Sequence, residues 1–310
     1  MSLSPEIIDV RGIVGTSVEA VSNAGAMAGA TVQSNVAVHG FIDVNGQITP
    51  VDVANQGVTI VSGVNKSDQL VGSYTDASGT HGFVRVGATV TTLDAPGAIS
   101  TLATAINDRG QVVGNDFDRN GEHGFLYANG QFMALNVPGA LSTDVEGINN
   151  QGQIVGSYMV SGSIGSHGFL YANGTCTTVD IPGAASTTVT GINDSGTIVG
   201  VATGGTGKGA FVETAGQIDY FTLPGATSVV PEGINNQGLI VGSYSDSSGN
   251  DHGFSLQIPL MGGVSALSDL VPPAPLAVQT ISLSQSSAGS VLHFQNVETA
   301  SVVQTAVITQ

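Results

Sequence analysis

The chain has 310 residues, with 6 basic against 23 acidic side chains and a formal net charge of −17. Nucleic acids and anionic membranes attract basic patches, so we expect neither as a partner, and no apolar run is long enough to insert into a bilayer. A single cysteine, Cys176, excludes an internal disulfide bond.

Three sequence markers recur along the chain at intervals of 42 to 44 residues. One is a turn followed by an apolar run, as in Asn149 to Gly156, and another is an Asp-x-Pro-Gly-Ala segment, as in Asp180 to Ala184. The third marker, His-Gly-Phe, begins at His39, His81, His123, His167 and His252, and is degraded to Gly209-Ala210-Phe211 in one copy. Six copies of a unit of this length indicate the blades of a β-propeller.

One unit shows four predicted strands, at 144–149, 153–158, 167–171 and 175–181. Asn173-Gly174 is a strong hairpin signal, and Pro182 ends the last strand because proline cannot donate to a ladder. No window has a helical period. The sequence therefore predicts an all-β fold, a six-bladed propeller with four-stranded blades.

The two ends of the repeat region complement each other. The last unit stops at Ile258, one strand short, and residues 6–10 have the character of the missing outer strand. We predict that the N-terminal strand closes the sixth blade and removes an open sheet edge. This prediction assigns residues 1–260 to the propeller.

Residues 261–310 lie outside the repeats and are predicted to form a linker and a small C-terminal β extension. Pro272-Pro273-Ala274-Pro275 indicates a stiff linker, and residues 277–310 contain three runs of alternating apolar and polar residues. Three short strands cannot form a core alone. They must dock on the propeller or pair with another chain, and both options stay open. We expect self-association through 277–310.

The repeat units, Gly-Ile-Asn-x-x-Gly-x-Ile-Val-Gly-Ser-Tyr, His-Gly-Phe-Leu-Tyr and Asp-x-Pro-Gly-Ala, resemble the extracellular His-Gly-Phe repeats of the HAF family over about Glu6 to Ile258. The resemblance implies secretion and a repeat architecture, and it implies no particular activity. Few Lys and Arg with many Gly, Ser and Thr also favour an exported bacterial protein, extracellular or on the cell surface. No signal peptide is visible at residues 1–10, so we expect that any export signal has been removed or lies elsewhere.

A residue that performs a function should break the repeat. One inner-strand position does so, with Glu19, Ser62, Thr104, Glu146, Thr190 and Glu232 in successive units. If this position faces the propeller axis, the three glutamates are candidate catalytic or cation-binding groups, because neighbouring carboxylates raise one another's pKa. Ser62, Thr104 and Thr190 are then candidate ligand-binding residues. Solvated channel carboxylates with no function are the simpler alternative, and the alternation leaves the position uncertain by one residue.

Calcium is the one cofactor that the sequence suggests. Asp116, Asp118, Asn120 and Glu122 place oxygen ligands at alternate positions, with a glycine sixth, as at the start of a calcium loop. Tyr127 stands where the acidic twelfth ligand belongs, which favours a plain polar turn. The repeated histidines are expected to anchor loops by hydrogen bonds to the aspartate of Asp-x-Pro-Gly-Ala, rather than to form a metal ring.

The favoured function is a binding or assembly module that takes a glycan or protein ligand. The lack of tryptophan and an aromatic content of 5% argue against sugar stacking. The alternative is a hydrolase or lyase that uses the acidic residues of the axial channel, and a calcium-stabilised adhesin is a third hypothesis. Whether the protein is an enzyme stays open at the level of the sequence.

Overall fold

The computed structural model describes residues 5–10, 13–32, 38–53 and 57–258. Over these ranges the chain forms 24 strands and no helix. The strands assemble into six separate four-stranded antiparallel sheets, five of which are built from consecutive strands. The predicted six-bladed propeller is confirmed. The linker and tail, 261–310, including the proposed association segment 277–310, lie outside the described residues.

Each blade runs from an inner strand at the axis to an outer strand at the rim. The inner strands are β2 (Gly15–Val21), β6 (Thr59–Val64), β10 (Ser100–Ile106), β14 (Ser142–Ile148), β18 (Ser186–Ile192) and β22 (Ala226–Ile234). The second strands are β3 (Met27–Val32), β7 (Leu70–Asp76), β11 (Val112–Phe117), β15 (Ile154–Met159), β19 (Ile198–Thr203) and β23 (Leu239–Asp246). The third strands are β4 (Val38–Val44), β8 (Gly79–Val86), β12 (Glu122–Ala128), β16 (His167–Ala172), β20 (Gly209–Thr214) and β24 (Asp251–Gln257). The outer strands are β5 (Gln47–Val51), β9 (Thr89–Leu93), β13 (Gln131–Ala134), β17 (Thr175–Val179), β21 (Gln217–Phe221) and β1 (Glu6–Ile8).

The N-terminal strand closes the ring, as predicted. β1 pairs antiparallel with β24, with Glu6 opposite Ser255 and Ile8 opposite Gly253, and supplies the outer strand of the sixth blade. Ile8 is buried. The edge of β24 is therefore covered, which removes a template for pairing with other chains.

The core repeats with the blades. The phenylalanine of every His-Gly-Phe marker, and of its degraded copy, is at most 2% exposed: Phe41, Phe83, Phe125, Phe169, Phe211 and Phe254. Burying a side chain of this size stabilises the fold by about 1.5–3 kcal/mol. Conservation of the third-strand phenylalanine across the repeats is thus explained by packing alone.

The histidines anchor the outer strands. Histidine Nδ1 lies within hydrogen-bond distance of the predicted aspartate in four blades: His39–Asp52 at 2.9 Å, His81–Asp94 at 2.8 Å, His167–Asp180 at 2.9 Å and His252–Asp9 at 2.9 Å. The third blade has Asn136 in place of the aspartate, and His123 instead contacts Asp118 through Nε2 at 3.2 Å. The predicted anchoring role is confirmed.

The anchoring explains one error in the predicted strands. The outer strand of the fourth blade was expected over 175–181, but β17 ends at Val179. Asp180 leaves the ladder because its carboxylate turns to His167. The inner strand of that blade begins at Ser142, two residues before the predicted start.

Candidate functional site: the axial chamber

A β-bulge decides which residues face the propeller axis. In each inner strand the pairing with the second strand skips one residue, for example between Val145 and Gly147 in β14. The skipped residues are Glu19, Ser62, Thr104, Glu146, Thr190 and Glu232. A bulge re-aims a side chain out of the regular alternation. The position that the sequence left uncertain by one residue is therefore fixed by these bulges.

A glycine in the second strand permits each bulge. A β-carbon added at Gly156 would overlap the carbonyl oxygen of Asp144, two residues before the bulged Glu146. The same overlap recurs at the equivalent glycine of every blade. The glycine of the Ile-Val-Gly run is thus required by the close approach of the backbone that presents the axial side chains.

All six bulged side chains line one cavity of about 150 Å³. Its wall continues through a layer of Gly and Ala to a ring of aliphatic residues: Val21, Val64, Ile106, Ile148, Ile192 and Ile234. No lysine, arginine or histidine lines the cavity within the described residues. Glu19, Glu146 and Glu232 therefore line one cavity that has no basic side chain among the described residues, and we call this cavity the axial chamber.

The three chamber glutamates have raised pKa values. Burial is the main cause for each of them. The charge of Glu19 raises the pKa of Glu232 further, and the charges of Asp144, Glu232 and Glu19 all raise the pKa of Glu146. Such groups hold protons at a higher pH than free carboxyls do, and a cation entering the chamber would displace these protons.

Asp144 is a further carboxyl that the sequence reasoning missed, and its charge is one of the causes of the raised pKa of Glu146. Burial raises the pKa of Asp144 itself, although its hydrogen bond from Asn115 opposes the rise. Asn115 Nδ2 donates to Asp144 Oδ1 at 2.7 Å, and Asn115 Oδ1 accepts from the amide of Val145 at 2.7 Å. The sequence could have revealed Asp144, because it is the one charged residue at its position in the repeat. The equivalents in the other blades are uncharged: Ser17, Ile60, Leu102, Thr188 and Val230.

Two of the three predicted ligand-binding hydroxyls already have partners. Thr104 Oγ1 donates to the carbonyl of Val145 at 2.8 Å, and Thr190 Oγ1 donates to the carbonyl of Pro231 at 2.6 Å. Both bonds join one inner strand to the next. These threonines therefore tie neighbouring blades together. Ser62, which also lines the chamber, lies in the blade next to that of Glu19.

Polar side chains surround the axis at the end where the inner strands finish, and they line a second cavity of about 60 Å³ that borders the same aliphatic ring. Five asparagine amides donate to the carbonyl of the same position in the next blade: Asn65 to Asn107, Asn107 to Asn149, Asn149 to Asn193, Asn193 to Asn235 and Asn235 to Ser22. Asp108 lies in the next layer, where burial raises its pKa but bonds from Lys66, Asn23 and Asn150 outweigh this and lower it. The asparagine of the turn marker thus links five of the six pairs of neighbouring blades, and the junction between the first and second blades, where Ser22 replaces the asparagine, lacks this bond among the described residues.

The candidate calcium loop is satisfied by its own residues. Asp118 Oδ1 accepts from the amides of Asn120 at 2.6 Å and Gly121 at 3.1 Å, and Asp118 Oδ2 accepts from Asn120 Nδ2 at 2.9 Å. Glu122 is directed to Asp144, whose charge contributes to its raised pKa. Asp116 stands on β11, opposite His123. Among the described residues no three His, Cys, Asp or Glu side chains are grouped to hold a metal ion, and calcium binding stays a prediction.

Two further features bear on function. Cys176 is half-buried in β17, packed beside the core of the fourth blade, and burial raises the pKa of its thiol. Over the described ranges, no helix has the length and apolar character needed to cross a membrane.

Comparison with known proteins supports the fold and nothing finer. No family model and no curated protein matches the chain. The β-propeller domain of the Trilobed protease from Pyrococcus furiosus is similar, with a TM-score of 0.51 and 9% identity over 85% of this chain and 99% of that one. An inactive variant of virginiamycin B lyase from Staphylococcus aureus has a TM-score of 0.47 and 11% sequence identity, over 83% of this chain and 100% of that one. A lectin from Burkholderia pseudomallei has a TM-score of 0.44 and 13% sequence identity, over 82% of this chain and 86% of that one.

Proposed function

We propose that this protein is a secreted or surface-exposed binding propeller whose axial chamber receives one small cationic group, an ammonium. The observation that carries the proposal is the convergence of Glu19, Glu146 and Glu232 on one cavity lined by no basic side chain. An ammonium offers three donors to surrounding carboxylates. Its charge would also offset the effect of burial, and for Glu146 and Glu232 the repulsion by neighbouring carboxyls, which raise the pKa of these glutamates.

The size of the chamber favours binding of a small group over turnover of a large substrate. Ligand pockets for drug-sized molecules are about 300–1,000 Å³, whereas the chamber is about 150 Å³. The lining residues offer carboxyls, hydroxyls and aliphatic groups, with no Ser–His or Cys–His pair among them. A terminal ammonium at the end of a ligand or side chain fits these limits.

The proposed location and assembly rest on the sequence. The resemblance to extracellular His-Gly-Phe repeats and the low content of Lys and Arg support export to the bacterial cell surface or medium. Self-association through residues 277–310 would display several chambers together and raise the avidity for a repeated glycan or protein ligand.

The second candidate function is a hydrolase or lyase. It is favoured by one observation, the pairing of Asp144 and Glu146 on one inner strand, since a carboxyl whose pKa is raised by burial and by a neighbouring charge can supply a general acid near neutral pH. The two candidates differ in what they predict for a bound ammonium compound, which is released unchanged by a binding module and converted by an enzyme.

The proposal is tested by calorimetric titration of the intact protein with methylammonium through butylammonium, and with sodium and calcium as competitors. Binding should release protons, seen as a heat that depends on the ionisation enthalpy of the buffer. Glu146→Gln should weaken binding at least tenfold. Glu213→Gln is the matched control, because Glu213 lies on β20 away from the chamber. No buffer-dependent heat, or equal weakening by both variants, would refute the proposal.

A further inference from the structure

The third and fourth blades present apolar side chains on the face where the inner strands begin. The residue before each inner strand pairs with the end of the second strand of the same blade: the amide of Ile99 donates to the carbonyl of Phe117 at 2.7 Å, and that of Leu141 to Met159 at 2.7 Å. Ile99 is 68% exposed, Leu141 63% and Met159 43%. The fourth blade therefore exposes an apolar pair, and the adjacent third blade exposes Ile99 beside the half-buried Phe117.

The other blades differ at these positions. The first blade has exposed valines, Val14 and Val32, and the remaining blades have small or polar residues: Gly57 and Thr75, Ala185 and Thr203, Thr227 and Ser245. The second blade lies between the valines of the first blade and the apolar residues of the third blade. The apolar pairs of blades three and four thus form a local patch that the repeat itself does not require.

A carboxylate lies inside this patch. Glu122 stands directly opposite Phe117 in the β11–β12 ladder. The neighbouring Gly121 lies beside the backbone of Leu141, with its ideal β-carbon position 3.8 Å from the Leu141 carbonyl oxygen. The five side chains of Ile99, Phe117, Glu122, Leu141 and Met159 are therefore linked by ladder pairs and backbone contacts into one surface, which we call the blade 3–4 surface.

The acidic groups of this surface lack a basic partner. Burial first, and then the charge of Asp144, raise the pKa of Glu122 to about 7. Burial also raises the pKa of nearby Asp116. Every ion pair among the described residues joins a histidine to an aspartate, and none includes Glu122 or Asp144. Above about pH 7 the surface consequently offers a carboxylate that forms no ion pair among the described residues, although the charge of the adjacent His123 acts on it, and this carboxylate lies between apolar side chains.

We propose that the blade 3–4 surface binds a peptide segment of another protein in which one lysine or arginine is flanked by apolar side chains. The cation would pair with Glu122 while the flanking side chains cover Ile99, Leu141 and Met159. The surface has the composition of a peptide site, since apolar contacts supply area and a central charge fixes the register.

The chain itself is a poor source of this segment. Its 6 basic residues are Arg11, Lys66, Arg85, Arg109, Arg119 and Lys208. Residues 261–310 contain no lysine or arginine, so the C-terminal segment cannot supply the cation, and a second copy carrying a net charge of −17 is repelled. The charge balance therefore favours a basic partner. The inference does not depend on ligand binding in the axial chamber.

The test uses the full-length protein at pH 8, where Glu122 is ionised, and an array of fluorescein-labelled nine-residue peptides. Each peptide has a central lysine with varied apolar neighbours, and each has a twin with norleucine in place of lysine. Lysine peptides should bind at least tenfold more tightly than their twins. Glu122→Gln should remove this preference, and Leu141→Ser should weaken both members of a pair at least fivefold.

Two matched variants are the controls. Asp251→Asn alters the carboxylate at the position in the sixth blade equivalent to Glu122, and Val14→Ser alters an exposed apolar residue of the first blade on the same face. Both should bind like the unaltered protein, with melting temperatures recorded to establish folding. The proposal fails if no lysine peptide binds, if norleucine twins bind equally well, or if the controls lose as much affinity as Glu122→Gln.

Discussion

Asp144 and Glu146 lie two residues apart on one inner strand, and the charge of Asp144 adds to burial in raising the pKa of Glu146. The bulge at Glu146 turns its carboxyl into the axial chamber, and Asn115 holds Asp144 from the neighbouring blade. This pair joins the chamber to Glu122 on the outer face, because Asp144 also raises the pKa of Glu122. A charge introduced beside Glu146 or beside Glu122 therefore acts on the carboxyl of Asp144.

We expect Glu146→Gln to stabilise the fold at neutral pH. The glutamine keeps the shape of the side chain and removes a buried carboxylate beside Asp144, Glu19 and Glu232. The free energy of unfolding should increase on the order of 1 kcal/mol, which corresponds to a few degrees in melting temperature for a domain of this size. Thermal unfolding at pH 7.5 measures it. An equal gain in Glu213→Gln would show that the effect is not specific to the chamber.

Stability should fall as the pH rises from about 5 to 8. Glu122 has a folded-state pKa of about 7 against an ordinary 4.5, so the folded state binds its proton more tightly, and this contribution is lost between those values. His81 and His252 act in the same direction, because hydrogen bonds to aspartates raise their pKa above 6.5. Chemical denaturation across this pH range checks the slope. A flat profile in the unaltered protein would contradict the burial of these carboxyls.

The opposite trend is expected in acid. Backbone and side-chain bonds from Asn250, opposed by burial, lower the pKa of Asp246 from 3.8 to about 2. Its stabilising contribution is present above 3.8 and is lost as the pH falls through 2. Asp246→Asn should therefore flatten the acid limb of the stability profile. It should also reduce the part of the limb above pH 5 that comes from His252, because Asp246 helps to raise the pKa of that histidine.

Gly156→Ala should destabilise the fourth blade by several kcal/mol, on the order of 3 or more, because the added methyl overlaps the Asp144 carbonyl. Gly15→Ala is the matched control. Its added β-carbon would meet its nearest neighbour at 3.7 Å, an ordinary contact. Melting temperatures of the two variants test the requirement for the bulge, and similar values would contradict it.

Removal of residues 1–10 should expose the edge of β24, since β1 supplies the outer strand of the sixth blade. We expect a lower melting temperature and concentration-dependent aggregation, because an uncovered edge can pair with another chain. Calorimetry and light scattering measure both effects. An unchanged melting temperature would contradict closure by the N-terminal strand.

The sequence by itself determined the architecture. Six copies of markers spaced by 42 to 44 residues required six equivalent sheets, and the half-blades at the two ends predicted closure by the N-terminal strand. Local chemistry was also readable, because a histidine and an aspartate repeated at constant separation predicted the anchor seen in His167 and Asp180. Such features are periodic, and a period is a property of the sequence.

The tertiary structure alone decided what the axial residues do. The alternation of β14 cannot show which residue faces the axis, because a bulge shifts the register by one and depends on contacts with β15. The alternation also could not show that Thr190 Oγ1 donates a hydrogen bond to the carbonyl of Pro231 in the next blade. Asp144, Asn115 and Glu122 meet from three strands of two blades, and their proximity arises only when the blades pack around the axis.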